Sequence, residues 1–123
     1  MTYENALKQY IEATNTHKFE NVKEMLHPHA VFWFTDKSCS NLEDIESYFT
    51  NAWDVIKDEV YRATDVKWIT TNEQSATCLY TYQYEGYYKG QYVEGSGRAT
   101  NVFIWYKGKW KLIHEHLSAD TSL

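Results

Sequence analysis

The sequence has few of the residues that interrupt or cross-link a chain. Its 123 residues include one proline, five glycines and two cysteines. With so few chain-breaking residues no flexible linker is evident, and a single domain spanning residues 1–123 is expected. Two cysteines are too few for a disulfide framework or a zinc knuckle, so Cys39 and Cys78 are expected to be reduced thiols. A chain of this length buries a core without a covalent or metal cross-link.

Long apolar runs and basic stripes are also absent. The longest wholly apolar run, Ala30 to Phe34, has five residues, whereas roughly 20 are needed to span a bilayer. No apolar leader segment follows Met1, so a cytoplasmic protein without membrane association is expected. Lys and Arg number 12 against 17 Asp and Glu, and one basic cluster, Lys107, Lys109 and Lys111, flanks a predicted turn. Nucleic-acid binding is therefore disfavoured, because it needs clustered cations.

Aromatic residues, in contrast, are abundant. Five Trp, eleven Tyr and five Phe make up 17% of the chain, and 43% of all residues are hydrophobic. This composition excludes a disordered or low-complexity chain. The aromatics are also concentrated, since six of the eleven Tyr lie between Tyr80 and Tyr92.

The first half of the chain has helical periodicity. Thr2 is a candidate N-cap for a first helix that ends at 15–17. A second helix must end before Pro28, and its apolar stripe is Phe19, Val22, Met25 and Leu26. The apolar run 30–34 predicts a buried strand. The S-x-x-E pattern at Ser40–Glu43 predicts a capped third helix with an apolar face of Leu42, Ile45, Phe49, Ala52, Trp53 and Ile56.

From Val60 onward the apolar residues alternate with a period of two. This pattern predicts four strands, at Val60–Thr70, Ser75–Glu85, Gln91–Tyr106 and Lys109–Ser118. Their short connections favour antiparallel pairing. Gly95 and Gly97 predict a bulge or sharp bend in the third of these strands. The layout is α+β, with the helices covering one concave face of a bent antiparallel sheet.

The last strand resembles a known family. Residues 108–118 follow the pattern G-x-W-x-[IL]-[VI]-H-x-H-x-S, with Arg98–Phe103 just upstream. This ending and the order of elements resemble SnoaL-like proteins of the nuclear transport factor 2-like superfamily. The resemblance implies a cystatin-like, cone-shaped half-barrel with a pocket between helices and sheet. It also implies a homodimer formed through the outer sheet face. Ketosteroid isomerases, scytalone dehydratase, polyketide cyclases and the calcium/calmodulin-dependent kinase association domain share this fold, so the fold alone does not decide the function.

The closing strand divides its side chains between two faces. Strict alternation places Trp110, Leu112, His114 and His116 on one face, and Ile113, Glu115 and Leu117 on the other. Either face could line a pocket. Similarity to the kinase association domain favours the Glu115 face, and it places Leu117 and Asn101 at two pocket positions. Both positions are arginines in that domain, so this chain departs from its anion-binding pattern.

The candidate catalytic residues are His116, Glu115 and Asp36. A partly buried Glu115 would have a raised pKa, suited to proton transfer, although an edge ion pair with Arg98 or a neighbouring Lys explains it equally well. Asp36 is either a general base or a turn residue. The two histidines of the strand allow structural hydrogen bonds, acid/base chemistry or a metal site. Because H-x-H has no obvious third ligand, neither a metal nor a cofactor is predicted.

The candidate ligand-binding residues are mostly aromatic. Tyr80, Tyr82 and Tyr84 share one strand face, which is a pocket wall if concave and a dimer interface if convex. Arg98 is the candidate to hold a ligand carboxylate. The complete set is Trp33, Trp53, Tyr80, Tyr82, Arg98, Asn101, Phe103, His114 and Leu117.

Three functions fit the sequence. The preferred hypothesis is a pocket that binds a small organic molecule. The second is an enzyme that abstracts a proton next to a carbonyl, dehydrates or cyclises its substrate, using His, Asp or Glu with Tyr donors. The third is a dimerisation or protein-association module with a vestigial pocket.

Overall fold

The computed structural model describes residues 2–120. The elements in chain order are α1 (Tyr3–Asn15), α2 (Phe19–Lys23), β1 (Leu26–Trp33), β2 (Ser38–Cys39), α3 (Leu42–Val55), β3 (Ile56–Thr71), β4 (Ser75–Tyr88), β5 (Gln91–Tyr106) and β6 (Lys109–Ala119). The predicted α+β class is confirmed, since the helices precede the four long strands.

Side-chain caps fix the starts of the two long helices. Thr2 caps α1 as predicted, with the Asn5 backbone N–H donating to its Oγ1 at 3.1 Å. At α3 the cap is Asn41, one residue later than the predicted Ser40. The Asp44 N–H donates to Asn41 Oδ1 at 2.8 Å. The amide of Asn41 satisfies an otherwise unpaired N–H of the first turn, so the helix begins at Leu42.

The second helix is shorter than predicted. It ends at Lys23, and β1 begins at Leu26, so Pro28 lies within a strand rather than after a helix. Pro28 is exposed, and the register of β1 against its neighbour β6 shifts between Leu26 and Val31. A residue without a backbone N–H is tolerated in a strand where the ladder is interrupted.

The strands form one curved, unclosed sheet in the order β2-β1-β6-β5-β4-β3. Antiparallel pairing of the last four strands is confirmed. The sheet is nevertheless mixed rather than wholly antiparallel, because β1 runs parallel to β6. This pairing brings the N-terminal half of the chain beside the last strand and leaves β2 and β3 at the edges.

Of the bulge or sharp bend predicted at Gly95 and Gly97, the bulge is wrong. The pairing of β4 with β5 is continuous from one end to the other. The two glycines instead make room for aromatic rings. A Cβ at Gly95 would lie 2.6 Å from the ring of Tyr84, and one at Gly97 would lie 2.5 Å from the ring of Tyr82 and would overlap the carbonyl oxygen of Ser118. Glycine is needed here for close approach rather than for a bulge.

The concave face of the sheet carries the core. Cys78, Tyr80 and Tyr82 are buried on it, whereas Leu79, between them, is 38% exposed on the outer face. The tyrosine stripe of β4 is therefore concave. Helices α1 and α3 cover it with their buried residues, which include Leu7, Tyr10, Ile45, Phe49 and Trp53. None of the helices within residues 2–120 has the length and apolar character to cross a membrane.

Candidate functional site

A cavity lies between the helices and the concave face, and its volume is about 230 Å³. We refer to it as the concave cavity. Eight of the residues that line it are aromatic: Tyr10, Phe34, Tyr48, Phe49, Trp53, Tyr61, Tyr82 and Tyr84. The other lining residues are Thr14, Thr35, Ala52, Ile56, Glu59, Glu115 and Leu117. The wall is thus mainly aromatic, with two carboxyl groups.

A bulge in β6 turns Glu115 toward this cavity. Ile113 is an extra residue, because its two neighbours in β6 pair with consecutive residues of β5. One inserted residue exchanges inside and outside along the rest of a strand. Glu115 therefore lies on the buried face together with Trp110 and Leu112, while His114 lies on the other side. The predicted grouping of Trp110 and Leu112 with the two histidines is wrong for this reason.

Three donors from three elements meet one oxygen of Glu115. Tyr10 Oη, Asn101 Nδ2 and Tyr80 Oη donate to Glu115 Oε1 at 3.0, 3.1 and 3.4 Å. Tyr61 extends the network, with its Oη 3.4 Å from that of Tyr80. Helix α1 and strands β4, β5 and β6 thus contribute to one buried polar cluster, which fixes the position of the carboxyl group.

Burial dominates the protonation of this cluster. Desolvation raises the pKa of Glu115 to about 7, against the lowering effect of the hydrogen bonds from Asn101, Tyr10 and Tyr80. The pKa values of Tyr10, Tyr61 and Tyr80 are all well above the ordinary value, first because of burial and then because of neighbouring charges. The three phenols therefore stay protonated and donate, while the Glu115 carboxyl changes its charge near neutral pH.

Glu59 supplies the second carboxyl group of the cavity. It lies in β3 directly after Asp58, where a positive φ of 54° accompanies a shift in register. Its carbonyl oxygen lies 2.8 Å from His17 Nε2. Asn15 fixes the same part of β3, accepting from the Tyr61 N–H at 2.8 Å and donating to the Tyr61 carbonyl at 2.9 Å. Desolvation raises the pKa of the Glu59 carboxyl to about 7.

Asp36 lies near the cavity but is not part of its wall. Its Oδ1 accepts a hydrogen bond of 2.6 Å from Tyr48 Oη, and the Tyr48 ring stacks on Phe34 at 3.7 Å between centroids. Burial, followed by the hydrogen bond to Asp36, raises the pKa of Tyr48. Asp36 thus positions a wall residue from the exposed side of the loop.

The two histidines of β6 lie on the outer face of the sheet. His114 Nδ1 is 2.7 Å from the Val31 carbonyl oxygen. The ring of Trp33 meets both imidazoles edge-on, at 5.0 Å from His114 and 5.3 Å from His116. His116 and Arg98 line two other pockets rather than the concave cavity, one of which shares Phe34, Thr35 and Leu117 with it.

The alternative of an ion pair between Arg98 and Glu115 is wrong. Arg98 is exposed on the outer face, whereas Glu115 is 2% exposed and bonded to Tyr10, Tyr80 and Asn101. In β5 the buried residues are odd-numbered from Gly97 to Phe103, so Arg98 cannot share a face with Asn101.

The structure brings together part of the predicted site. Trp53, Tyr82, Glu115 and Leu117 line the concave cavity. Tyr80 and Asn101 bond to Glu115, and Phe103 is buried in the core. His114, His116, Trp33 and Arg98 lie on the outer face.

Tyr10, Tyr61 and Glu59 contribute to the cavity but are absent from the predicted set. Helical spacing places Tyr10 on the inner stripe of α1, a signal that indicates core packing without distinguishing a cavity wall. Within residues 2–120, no group of three or more His, Cys, Asp or Glu side chains is arranged to hold a metal ion.

Comparisons with known proteins agree with this architecture. A family model described as a SnoaL-like domain matches residues 4–121. No curated protein matches the chain. Among solved structures, a nuclear transport factor 2-like superfamily protein from Salmonella enterica has a TM-score of 0.86 at 12% identity, covering 97% of this chain and 90% of that one.

Two further structures carry functional descriptions of their own. A candidate calcium/calmodulin-dependent protein kinase II association domain from Xanthomonas campestris has a TM-score of 0.85 at 22% identity, covering 95% of this chain and 84% of that one. A proposed dehydratase of the NTF2-like family from Streptomyces avermitilis has a TM-score of 0.84 at 18% identity, covering 98% and 95%. At these identities the similarity shows the fold alone.

Proposed function

Because the chain belongs to the SnoaL-like family, we propose that it binds one small organic molecule in the concave cavity. The observation that carries this proposal is an aromatic wall around about 230 Å³ of space, with the buried carboxyl group of Glu115 beside it. Ligand sites are typically concave and apolar, with a few fixed polar groups.

The volume limits the size of the ligand. Pockets for drug-sized molecules measure roughly 300–1,000 Å³, and a cavity of about 150 Å³ accepts benzene. The concave cavity, at about 230 Å³, suits a molecule with one ring and a few substituents.

A cavity-filling variant tests the proposal. Ala52 lines the cavity from α3, while Thr50, two residues earlier, is exposed. In a thermal-shift screen with single-ring phenols, ketones and amines, a ligand should raise the melting temperature of the wild type and of Thr50→Phe. Ala52→Phe should abolish that rise because its ring occupies the cavity. A rise of the same size in Ala52→Phe would contradict binding in the cavity.

Proton-transfer catalysis is the second candidate function. It is favoured by Glu115, whose pKa of about 7 lets it accept a proton near neutral pH, and by the phenols of Tyr82 and Tyr84 in the same cavity wall. Proton abstraction next to a carbonyl needs such a base, together with donors for the enolate oxygen. The similarity to a proposed dehydratase supports the same class of chemistry.

Hydrogen–deuterium exchange at the carbon next to a ketone tests this candidate. NMR in deuterated buffer should show exchange that is accelerated by the wild type and by Glu46→Gln, an exposed control on α3, but not by Glu115→Gln. Equal acceleration by Glu115→Gln would exclude Glu115 as the base.

A homodimer formed through the outer sheet face remains part of the proposal. Large apolar side chains are exposed on this face, with Trp33 at 47% and Leu79 at 38%. His116, Arg98 and Thr100 lie between them. The similarity to a candidate kinase association domain supports assembly. We also propose a cytoplasmic location, which the free, buried thiols of Cys39 and Cys78 support.

A further inference from the structure

We infer that the ligand of the concave cavity is a small organic cation, an amine or quaternary ammonium group attached to an apolar body. This inference rests on the proposed function and specifies the ligand class. It depends on the charges of the wall, on an unpartnered carboxyl oxygen and on the arrangement of aromatic rings.

The cavity wall carries acidic groups without basic ones. Glu59 and Glu115 line it, and none of its described lining residues is Lys, Arg or His. The two ion pairs formed within residues 2–120 involve other carboxylates, with Lys57 bound to Asp54 and Arg62 bound to Glu85. Where these carboxyl groups are ionised, an anionic ligand would meet like charge and a cation would meet opposite charge.

One oxygen of Glu115 is left for the ligand. The three donors all bond to Oε1, and within the described chain no donor is bonded to Oε2. The Oδ1 of Asn101 is the sole fully buried side-chain N or O atom without a partner in residues 2–120. Oε2 thus keeps some access to the cavity, although Glu115 as a whole is 2% exposed. A carboxyl oxygen held beside the cavity without a donor is costly unless a ligand supplies a hydrogen bond or a compensating positive charge.

The aromatic walls suit a cation as well. The rings of Tyr61 and Tyr82 are nearly parallel, with an interplanar angle of 15° and centroids 6.0 Å apart. Trp53 lies beside Phe49, with centroids 5.3 Å apart. A cation over the faces of such rings is attracted by their quadrupoles, and aromatic enclosures are a known means of binding quaternary ammonium groups.

Burial of the acids also favours this ligand class. Desolvation raises the pKa of both Glu59 and Glu115 to about 7. Burial destabilises the ionised form of each carboxyl group, and a bound cation would offset part of that destabilisation. A neutral ligand of the same shape offers no such compensation.

Isothermal titration with three phenols of matched shape tests the inference. Their para substituents are trimethylammonium (a cation), tert-butyl (its neutral isostere) and sulfonate (an anion). The cation should bind at least about tenfold more tightly than the neutral phenol, and the sulfonate should not bind. Equal affinity for the cation and the neutral phenol would overturn the inference and leave the proposed function standing. Binding of none of the three would contradict the proposed function as well.

Variants that remove one carboxyl group test which residues produce the preference for the cation. Glu59→Gln and Glu115→Gln should each lose most of the preference for the cation over the neutral phenol while still binding the neutral phenol. Glu46→Gln, on the exposed side of α3, should keep the full preference. Glu59 is only partly buried, so its variant provides a test even if Glu115→Gln folds poorly. An unchanged preference in Glu59→Gln would overturn its part in cation binding.

Discussion

Glu115 couples the protonation of one side chain to the stability of the fold. Its pKa is about 7 in the folded protein, against an ordinary value of 4.5. Between these pH values the folded chain holds a proton that the unfolded chain has released. As the pH rises through this range, the free energy of unfolding therefore falls, by about 3 kcal/mol in all. At a pH below the ordinary pKa of the carboxyl group, both states hold the proton and this loss is absent.

The neutral variant Glu115→Gln should reveal this linkage. We expect urea denaturation to give similar stabilities for the variant and the wild type at pH 5, and a more stable variant, by about 2 kcal/mol, at pH 8. Glu46→Gln should show no such pH-dependent difference because Glu46 is exposed. The same difference at both pH values would argue against a buried, titrating Glu115.

Gly97 and Gly95 differ in what a methyl group would displace. At Gly97 it would overlap the backbone carbonyl of Ser118 as well as the ring of Tyr82, whereas at Gly95 it would meet only the outer end of the Tyr84 ring. We expect Gly97→Ala to lower the free energy of unfolding by about 2 kcal/mol, and Gly95→Ala by less than about 1 kcal/mol, because the partly exposed Tyr84 can move. Thermal denaturation of the two variants would check this order, and equal losses would contradict it.

At the scale of elements, the start of α3 depends on Asn41 rather than on Ser40. Asn41→Ala removes the acceptor of the Asp44 N–H and should lower the free energy of unfolding by about 1 kcal/mol. Ser40→Ala, the matched change one residue earlier, should have little effect. A larger loss for Ser40→Ala would favour the S-x-x-E capping box instead.

Sequence periodicity and turn residues predicted the helices and strands better than they predicted which side chains of a strand point to the cavity. The tight turns around Lys107 and the long alternating runs predicted four strands, and those strands are present. Periodicity could not reveal the extra residue Ile113, because a bulge is defined by pairing with another strand. Strict alternation therefore grouped Trp110 and Leu112 with the two histidines, whereas the bulge places them on the same face as Glu115. Glu59 was missed because its approach to the cavity depends on the backbone turn at Asp58 and on packing from α1.

At the scale of the whole molecule, the two faces of the sheet have separate roles in the proposal. In that proposal the concave face holds the ligand site, and the outer face, on which Trp33 is exposed, forms the dimer surface. The pocket needs inward-facing side chains and the apolar patch needs outward-facing ones, and both lie on the same strands. Because successive side chains of a strand point to opposite faces, each strand supplies both sets.

Sedimentation velocity tests the proposed dimer. The wild type should sediment as a dimer at micromolar concentration. Thr100→Arg, in the middle of the outer face beside His116, should dissociate it by placing an unpaired charge in the interface. Thr50→Arg on the exposed side of α3 serves as the control and should remain dimeric. A monomeric wild type would exclude the assembly.

The bulge at Ile113 also bears on how such a pocket can diverge in evolution. Glu115 and His116 are adjacent in sequence, and the bulge upstream decides which of them faces the cavity. If Ile113 were paired in the ladder instead of bulged, strict alternation would place an imidazole in the cavity and the carboxylate on the outer face. A change in the register of one strand would thus exchange an acidic pocket for a basic one, without any change in the residues that carry the chemistry.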